Sequence, residues 1–337
     1  MIYFVGLMVF LASWLLTGGM RRYALSRMTL MDTPNDRSSH VVPTPRGGGV
    51  AIVLSFIGAL VTLYGLGVIP INLLLAYLGG GGMVAVIGFL DDHGHIAARW
   101  RLLGHFVAAS GLLYGLGGAP EIVLLGQGFD LGWVGVGLFV VGLVWLLNLY
   151  NFMDGIDGNA SLEAVSVCLG AALLAILAGV SHLALLPMLL ALAVAGFLYW
   201  NFPPAKIFMG DAGSGFIGIV LGGMVIQSGY VSTELLTGWL ILLGVFVVDA
   251  SFTLLRRLLR GERVYEAHRS HAYQVASRHH GSHLKVSIGV VLITLTWLLP
   301  LACAVVLGWI SALPSLILGY LPLVALAVIY KAGVLEN

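Results

Sequence analysis

Apolar residues along this chain gather into runs of about 20, each long enough to cross a hydrocarbon core roughly 30 Å thick as a helix. Eleven such runs are read, over approximately 2–18, 48–67, 70–90, 101–118, 133–150, 160–180, 183–200, 212–229, 235–255, 285–308 and 313–330. They predict an all-α polytopic membrane protein of about eleven transmembrane helices, folded as a single domain over 1–337. The first run lacks a small-residue cleavage site and is followed by a long basic loop, which reads as a permanent helix rather than a removed signal peptide. Between the fourth and fifth runs, EIVLLGQGFDLG, Glu121 to Gly132, reads as a small hairpin.

The polar residues between the runs orient this bundle. Connections after the odd-numbered runs hold all 16 Lys and Arg, and the alternate connections hold none. The positive-inside rule then puts the N-terminus outside the cytoplasm and the C-terminus inside it. Composition agrees: 59% of residues are hydrophobic, 9% are charged and the mean hydropathy is +1.01, far outside soluble usage. The net charge of +1 gives no reason to expect nucleic acid, because topology already accounts for the positive residues. Cys168 and Cys303 both fall inside apolar runs and suggest neither a disulfide framework nor a thiolate metal site.

Of 15 acids, only Glu121, Asp130 and Glu234 fall on the outer face. Candidate chemistry is therefore expected at the cytoplasmic ends. In MDTPNDRSSHVVPTPRGGG, Met31 to Gly49, three prolines prevent helix and three glycines allow close backbone approach. It reads as an ordered loop, with a plain basic loop as the bland alternative.

In GFLDDHGHIAARWR, Gly88 to Arg101, the adjacent Asp91 and Asp92 repel each other unless a cation sits beside them. Oxygen ligands of this kind suit Mg²⁺ or Mn²⁺ with substrate phosphate, and Arg99 and Arg101 could meet the same phosphates. A hydrated helix end is the bland alternative.

NLYNFMDGIDG, Asn148 to Gly158, sets Asp154 and Asp157 three residues apart, which places them on one face of a helical turn, with Asn148 and Asn151 adding neutral oxygens. No EF-hand fits, because a twelve-residue loop from either aspartate ends on Val165 or Cys168. Helix capping by Asp is the competing reading.

In NFPPAKIFMGDAGSG, Asn201 to Gly215, a glycine-rich helix start offers free N–H groups to an anion. Asp211 there would repel phosphate unless a metal bridged them, so it reads as a metal ligand. Gly79 to Gly82 lie too deep in their run for a phosphate cradle and read as close helix packing.

In the last cytoplasmic segment, Arg256 to Lys285, His279, His280 and His283 lack the cysteine or carboxylate that would complete a zinc site. Asp249 lies some ten ångströms of helix inside its run and must pair or reach a cavity.

These segments, in this order, resemble the polyprenyl-phosphate N-acetylhexosamine-1-phosphate transferase superfamily of the WecA, TagO and MraY type. The resemblance covers nearly the whole chain and is carried by HVVPTPRGGG, the LDD pair, NLYNFMDGIDG, FMGDAGSG, VDASFTLLRR and a histidine-bearing last loop. It implies transfer of a sugar 1-phosphate from a UDP-N-acetylhexosamine to undecaprenyl phosphate, with release of UMP and Mg²⁺ or Mn²⁺ as cofactor. It assigns Asp211 as principal metal ligand with Asn151 and Asp91, and Asp91 and Asp92 as essential carboxylates beside the lipid phosphate. Asp154 and Asp157 would bind nucleotide or position the sugar, and His268, Arg269 and His271 would contact the diphosphate or sugar. His40, Asn148, Arg99, Arg101 and Lys206 complete the expected substrate contacts.

A phosphate monoester dianion is already a nucleophile, so the reaction needs charge neutralisation and in-line alignment more than a strong base. That favours single displacement over an aspartyl-phosphate. Departures from the family pattern bear on the sugar. His93-Gly94-His95 follows the DD pair where MraY-like members carry a lysine, and HRSH at His268 to His271 stands where WecA and TagO read roughly HLHH. AHRSHAYQ is similar to WbpL-like members that begin O-antigen chains on 6-deoxy sugars. A homodimer is left open. The rival classes are a multi-span transporter, against which stand the acids at one membrane end and the lack of a visible repeat, and a metal-dependent lipid phosphatase.

Overall fold

The computed structural model describes residues 2–26, 30–34, 42–94, 96–124, 127–263 and 268–334. Every apolar run of the sequence becomes a helix or a pair of helical segments. These are α1 (Ile2–Leu25), α2 (Gly49–Gly65), α3 (Ile71–His93), α4 (Ala98–Leu116), α5 (Gly132–Met153) and α6 (Asn159–Leu177). A 3₁₀ turn then leads into α7 (Leu185–Asn201), followed by α8 (Asp211–Gly229), α9 (Thr233–Leu242) and α10 (Gly244–Leu259). After the short α11 (Ala272–His280) come α12 (His283–Ile293), joined through a π turn to α13 (Leu299–Val306), and α14 (Ala312–Ile329).

Among the described residues, 8 helices are long and apolar enough to cross a membrane, and the bent pair α9–α10 makes up to 9. The remaining two of the eleven runs are α2, which is shorter at 17 residues, and α4, which opens on Arg99 and Arg101 and stands outside that set. Two antiparallel strand pairs complete the structure. Met31 pairs with Pro45 and Asp32 with Thr44 at the acid-bearing end. Ile122 pairs with Phe129 in the hairpin expected between α4 and α5.

One run departs from expectation. The span read as continuous over 235–255 is broken between α9 and α10 by a bend of 69°. Gly244 stands at the break, where a Cβ would meet Tyr320 at 3.1 Å and Leu323 at 3.2 Å, so α14 packs into the elbow. Tyr320 Oη donates to the Leu240 carbonyl at 2.7 Å, satisfying a backbone group beside the break.

The bundle is built around α8, whose span is 94% buried. It packs against α2, α3, α5 and α9, and its starting residue Asp211 is delivered to the polar end by two very close approaches. A Cβ on Gly88 of α3 would lie 2.5 Å from the Ala212 nitrogen. Gly49 of α2 and Gly213 of α8 likewise meet backbone to backbone. Such contacts need glycine on both the packing and the helix-association argument. Within the glycine run of α3, Gly80 packs on Leu112 of α4 and Gly81 on Phe216 of α8, as expected for a packing segment.

Gly88→Val should therefore destabilise the folded protein by about 1–3 kcal/mol, because the obstructing atoms are backbone and cannot turn aside. Gly79→Ala, whose Cβ would meet nothing within 4 Å, should be neutral or stabilising. Thermal unfolding of both variants in detergent checks this; equal melting temperatures would show that the α3–α8 approach is not tight.

Candidate active site

The first turn of α8 has no polar side chain of its own to cap it. Asp92, at the end of α3, performs that task from outside: Oδ1 accepts from the Asp211 nitrogen at 3.2 Å and Oδ2 from the Ala212 nitrogen at 3.4 Å. A carboxylate at this end also complements the helix dipole. Gly210, at φ +77°, leaves room for it, since a Cβ there would lie 2.6 Å from Asp92 Oδ2.

Two arginines neutralise the acids gathered at this point. Arg46 Nη2 is 2.9 Å from Asp92 and 3.6 Å from Asp211. Arg101 pairs with Asp91 and lies 3.4 Å from Asp211. Asp91 is further held by the Ile96 nitrogen at 2.8 Å. Arg46 owes its place to backbone pairing: Phe208 N donates to Pro45 O at 2.7 Å, Gly48 N to Phe208 O at 2.9 Å and Gly49 N to Met209 O at 2.8 Å. The loop of prolines and glycines is thus zipped to the segment that enters α8.

Below these pairs opens a cavity of about 210 Å³ whose wall includes Asp32, Arg46, Asn151, Asp154, Asp157 and Asp211. Asn201, Gln274 and His283 also line it. Residues 154–158 are a turn between α5 and α6 rather than a helical turn, so Asp154 and Asp157 do not share a helix face as their spacing suggested. The reason is Gly158, at φ +72°, whose nitrogen donates to Asn201 Oδ1 at 3.1 Å and pins the turn to α7.

The two aspartates consequently differ. Asp157 is engaged with structure: Oδ2 accepts from the Ala205 nitrogen at 3.0 Å and Oδ1 lies 3.3 Å from His283 Nδ1. Asp154 faces the cavity, where burial and the neighbouring Asp211 push its carboxyl well above the usual range.

A strut holds the Asp154 turn in place. Tyr273 Oη donates to the Phe152 carbonyl at 2.7 Å and accepts from the Gly155 nitrogen at 3.0 Å, and a Cβ at position 155 would strike that hydroxyl. The backbone of Tyr273 is in turn tied to Asp249 of α10, which accepts from the Ala272 and Tyr273 nitrogens at 2.9 Å each. Asp249 also receives Thr253 Oγ1 at 3.1 Å and lies 3.3 Å from His271 Nδ1. The intramembrane acid that had to find partners finds them at the start of α11.

Of the residues expected at the site, Asp154, Asp157, Asp211 and Asn151 meet in the cavity wall. Asp91, Asp92 and Arg101 stand directly behind Asp211. Asn148 shares a small recess with Arg101 and Asp211. Others are not brought into the wall. Arg99 lies over the Trp100 ring, and Lys206 over Tyr199 and Trp200. His271 is 2% exposed and stacked with His268, while the Arg269 carbonyl accepts from Arg278. Burial, with His271 and Arg257 nearby, holds the His268 ring below the ordinary imidazole range, down to about 3. His40 lies outside the described residues.

Arg46, Asp32 and Gln274 were not singled out by sequence, and His283, weighed there only as a zinc ligand without a carboxylate, lies beside Asp157. Gln274 could have been: it stands three residues after His271, and its side-chain oxygen accepts from the His271 nitrogen in a capping box.

A metal has a suitable donor set here. Asn151, whose Nδ2 donates to Ser214 Oγ at 3.3 Å, lines the same recess as Asp211, and Asp91 and Asp211 share Arg101, so the three residues the motifs pointed to are neighbours. Among the described residues no group of three His, Cys, Asp or Glu is poised to cage a metal alone. One or two carboxylates with neutral oxygens match Mg²⁺ or Mn²⁺, which complete their shells with water and substrate phosphate. The cavity's crowded acids, with Asp154 short of counter-charge, fit such a cation.

Known proteins are similar to this chain over much of its length. The family described as glycosyl transferase family 4 matches residues 74–229. A probable undecaprenyl-phosphate N-acetylglucosaminyl 1-phosphate transferase of Bacillus subtilis (strain 168) is 30% identical over 266 residues, 77% of this chain and 72% of the relative. A decaprenyl-phosphate N-acetylglucosaminephosphotransferase of Mycolicibacterium smegmatis is 32% identical over 285 residues, 74% of this chain and 68% of that protein. A phospho-N-acetylmuramoyl-pentapeptide-transferase of Shouchella clausii is 33% identical over 243 residues, 66% and 72% respectively. The chain belongs to glycosyl transferase family 4, within the WecA, TagO and MraY superfamily that its motifs resemble.

Arg46→Met should cost about 2 kcal/mol, because it strands Asp92, whose side chain is only 1% exposed, while the 34% exposure of Arg46 keeps the loss below that of a fully buried pair. Adding Asp92→Asn should recover much of the stability. Melting temperatures of the single and double variants measure the coupling, and purely additive losses would show that the pair is not energetically linked.

Proposed function

We propose that this protein transfers an N-acetylhexosamine 1-phosphate from a UDP-sugar to a polyprenyl phosphate such as undecaprenyl phosphate, releasing UMP, at the cytoplasmic face of a bacterial inner membrane. The observation that carries the reading is the meeting of Asp211, Asp91 and Asp92 with two guanidinium groups at the buried start of α8, against a polar cavity that Asp211, Arg46 and Asp154 line. Family membership and the polyprenyl-phosphate sugar phosphotransferases among the relatives support it.

An apolar cavity of about 340 Å³ between α5, α8, α9 and α10 supports the lipid half of the reaction. Its wall includes Leu138 and Leu149 of α5, which are about 16 Å apart along the helix axis, and Leu149 precedes the cavity residue Asn151 by two positions. A prenyl chain laid there brings its phosphate to the acid cluster. The bend at Leu243 forms one side of this groove, so the broken span serves the substrate.

Asp211, Asn151 and Asp91 would hold Mg²⁺ or Mn²⁺. Such an ion supplies charge neutralisation for the diphosphate and for the departing nucleotide. Arg46 and Arg101, drawn off the acids they now share, are placed to hold phosphate oxygens. Asp92 keeps α8 capped, and Asp154, fixed by Tyr273, borders the sugar nucleotide. The lipid phosphate dianion attacks the β-phosphorus directly, in line with the leaving UMP, with no covalent enzyme intermediate. The product begins a cell-envelope glycan, and the AHRSHAYQ segment favours a 6-deoxy N-acetylhexosamine and O-antigen synthesis.

Radiolabelled UDP-sugar incubated with undecaprenyl phosphate and the purified protein should yield labelled lipid. Asp211→Asn should abolish this without loss of folding, and excess chelator should do the same until Mg²⁺ or Mn²⁺ is restored. Label enclosed in vesicles would indicate a transporter, release of free phosphate a phosphatase, and full activity in chelator a metal-independent transferase.

Sugar choice should depend on Gln274, the member of the 268–274 segment that reaches the cavity. Gln274→Ala should change the ratio of kcat/KM between UDP-N-acetylglucosamine and its 6-deoxy analogue, with less change in UMP inhibition. An unchanged ratio in an active variant moves the selection to Asp154 and the 31–49 loop.

A further inference from the structure

We propose that the protein binds one anionic glycerophospholipid in a second cavity, beneath α11 and separate from the reaction site. This cavity of about 400 Å³ lies among α10, α11, α12 and α14 and shares no lining residue with the acid-bearing one. Its body is apolar but for Asp249, whose oxygens accept from the Ala272 and Tyr273 nitrogens, and is walled by Val245, Val290, Ile293, Leu323 and Ala327. Its other end is polar and basic. Lys285 stands there in the first turn of α12, and His280 Nε2 lies 2.9 Å from Tyr330 Oη.

From Lys285 to Ile293 the cavity follows α12 for about 12 Å. Gly289, midway along, leaves the space open, since a Cβ there would meet nothing within 4 Å. Among the described residues the Lys285 ammonium has no ion pair or hydrogen-bond partner, and its side chain is exposed at the mouth.

These features select the occupant. An empty apolar space forfeits dispersion contacts along its lining, and water gains little beside walls whose one carboxylate is already hydrogen-bonded to backbone. In a bilayer the available filler is an acyl chain. A cation at the rim, on the same membrane end as the acid cluster, matches an anionic headgroup. The carrier lipid does not fit equally well. Held here, its phosphate would lie at Lys285, on the far side of α11 from Asp211.

Occupancy bears on the reaction site through one residue. Tyr273 lines this cavity and also braces the Asp154 turn, so a chain filling the space steadies the helix that carries the strut.

Native mass spectrometry of the purified full-length protein, titrated with phosphatidylglycerol or phosphatidylcholine of identical chains, tests the proposal without reference to catalysis. One phosphatidylglycerol should be retained in preference to phosphatidylcholine. Lys285→Glu should weaken its binding about tenfold and Lys285→Arg should preserve it. Gly289→Phe should remove the bound lipid, and Ala276→Leu, which intrudes from α11, provides a second occlusion should the first fail to fold. Equal retention of both lipids, or phosphatidylglycerol still bound to the occluded variant, would overturn the proposal. Stoichiometric displacement by undecaprenyl phosphate would overturn it too, by making the carrier the occupant.

Discussion

The sharing of two arginines among three aspartates at the start of α8 is the interaction on which the rest of the molecule depends. Asp92 must lie within reach of the first two free N–H groups of α8, which requires α3 to touch that helix at Gly88. Arg46 must reach both Asp92 and Asp211, which requires the 45–49 backbone to pair with residues 208 and 209. Three like charges at one helix start would otherwise repel one another and withdraw into water. The close glycine contacts, the zipped loop and the buried central helix are therefore parts of one electrostatic solution. A divalent cation and a diphosphate could replace the arginines in it without moving the acids.

A second chain of contacts runs from the membrane interior to the same cavity. Asp249 lies on the half-helix that follows the 69° bend, caps α11, and through Tyr273 fixes the turn that carries Asp154. The same bend shapes the apolar groove on the other side of α10. A polar residue inside a span is costly, and this one offsets its cost by fixing the position of the 154–158 turn through Tyr273. A comparable pair lies beneath it, where Tyr150 of α5 donates to the buried Glu163 of α6 and ties the two helices that flank the Asp154 turn.

The positions of the helices were legible because hydrocarbon imposes a length and a composition on each span, and all eleven runs became helical. The bend was not legible, since Gly244 is one glycine among 46 and only its packing against Tyr320 gives it meaning. At the site, the acids could be read from their crowding at one end of the bundle. The placement of Asp154 and Asp157 was misjudged because their spacing says nothing of Gly158, whose backbone breaks the helix between them and α6. The histidine-bearing segment was read as contacts to the diphosphate or sugar, whereas His271 is turned to Asp249 and the buried Gln274 lines the cavity. That placement is set by Asp249, 22 residues before His271, and distant pairing of this kind leaves no local pattern.

The arginines present the same difficulty more sharply. Topology alone explains why Arg46, Arg99 and Arg101 lie where they do, and a rule about membrane sidedness cannot separate a site residue from a sidedness signal. Helix geometry can. Residues two apart on α4 point about 200° away from each other. Arg101 faces Asp91 and Asp211, so Arg99 must face away, and it lies over Trp100. Once one carboxylate partner is known, the phase of the helix assigns the other arginine. Arg46 has no such helix to read from, and its role follows only from the backbone hydrogen bonds that bring residues 45–49 alongside Phe208 and Met209.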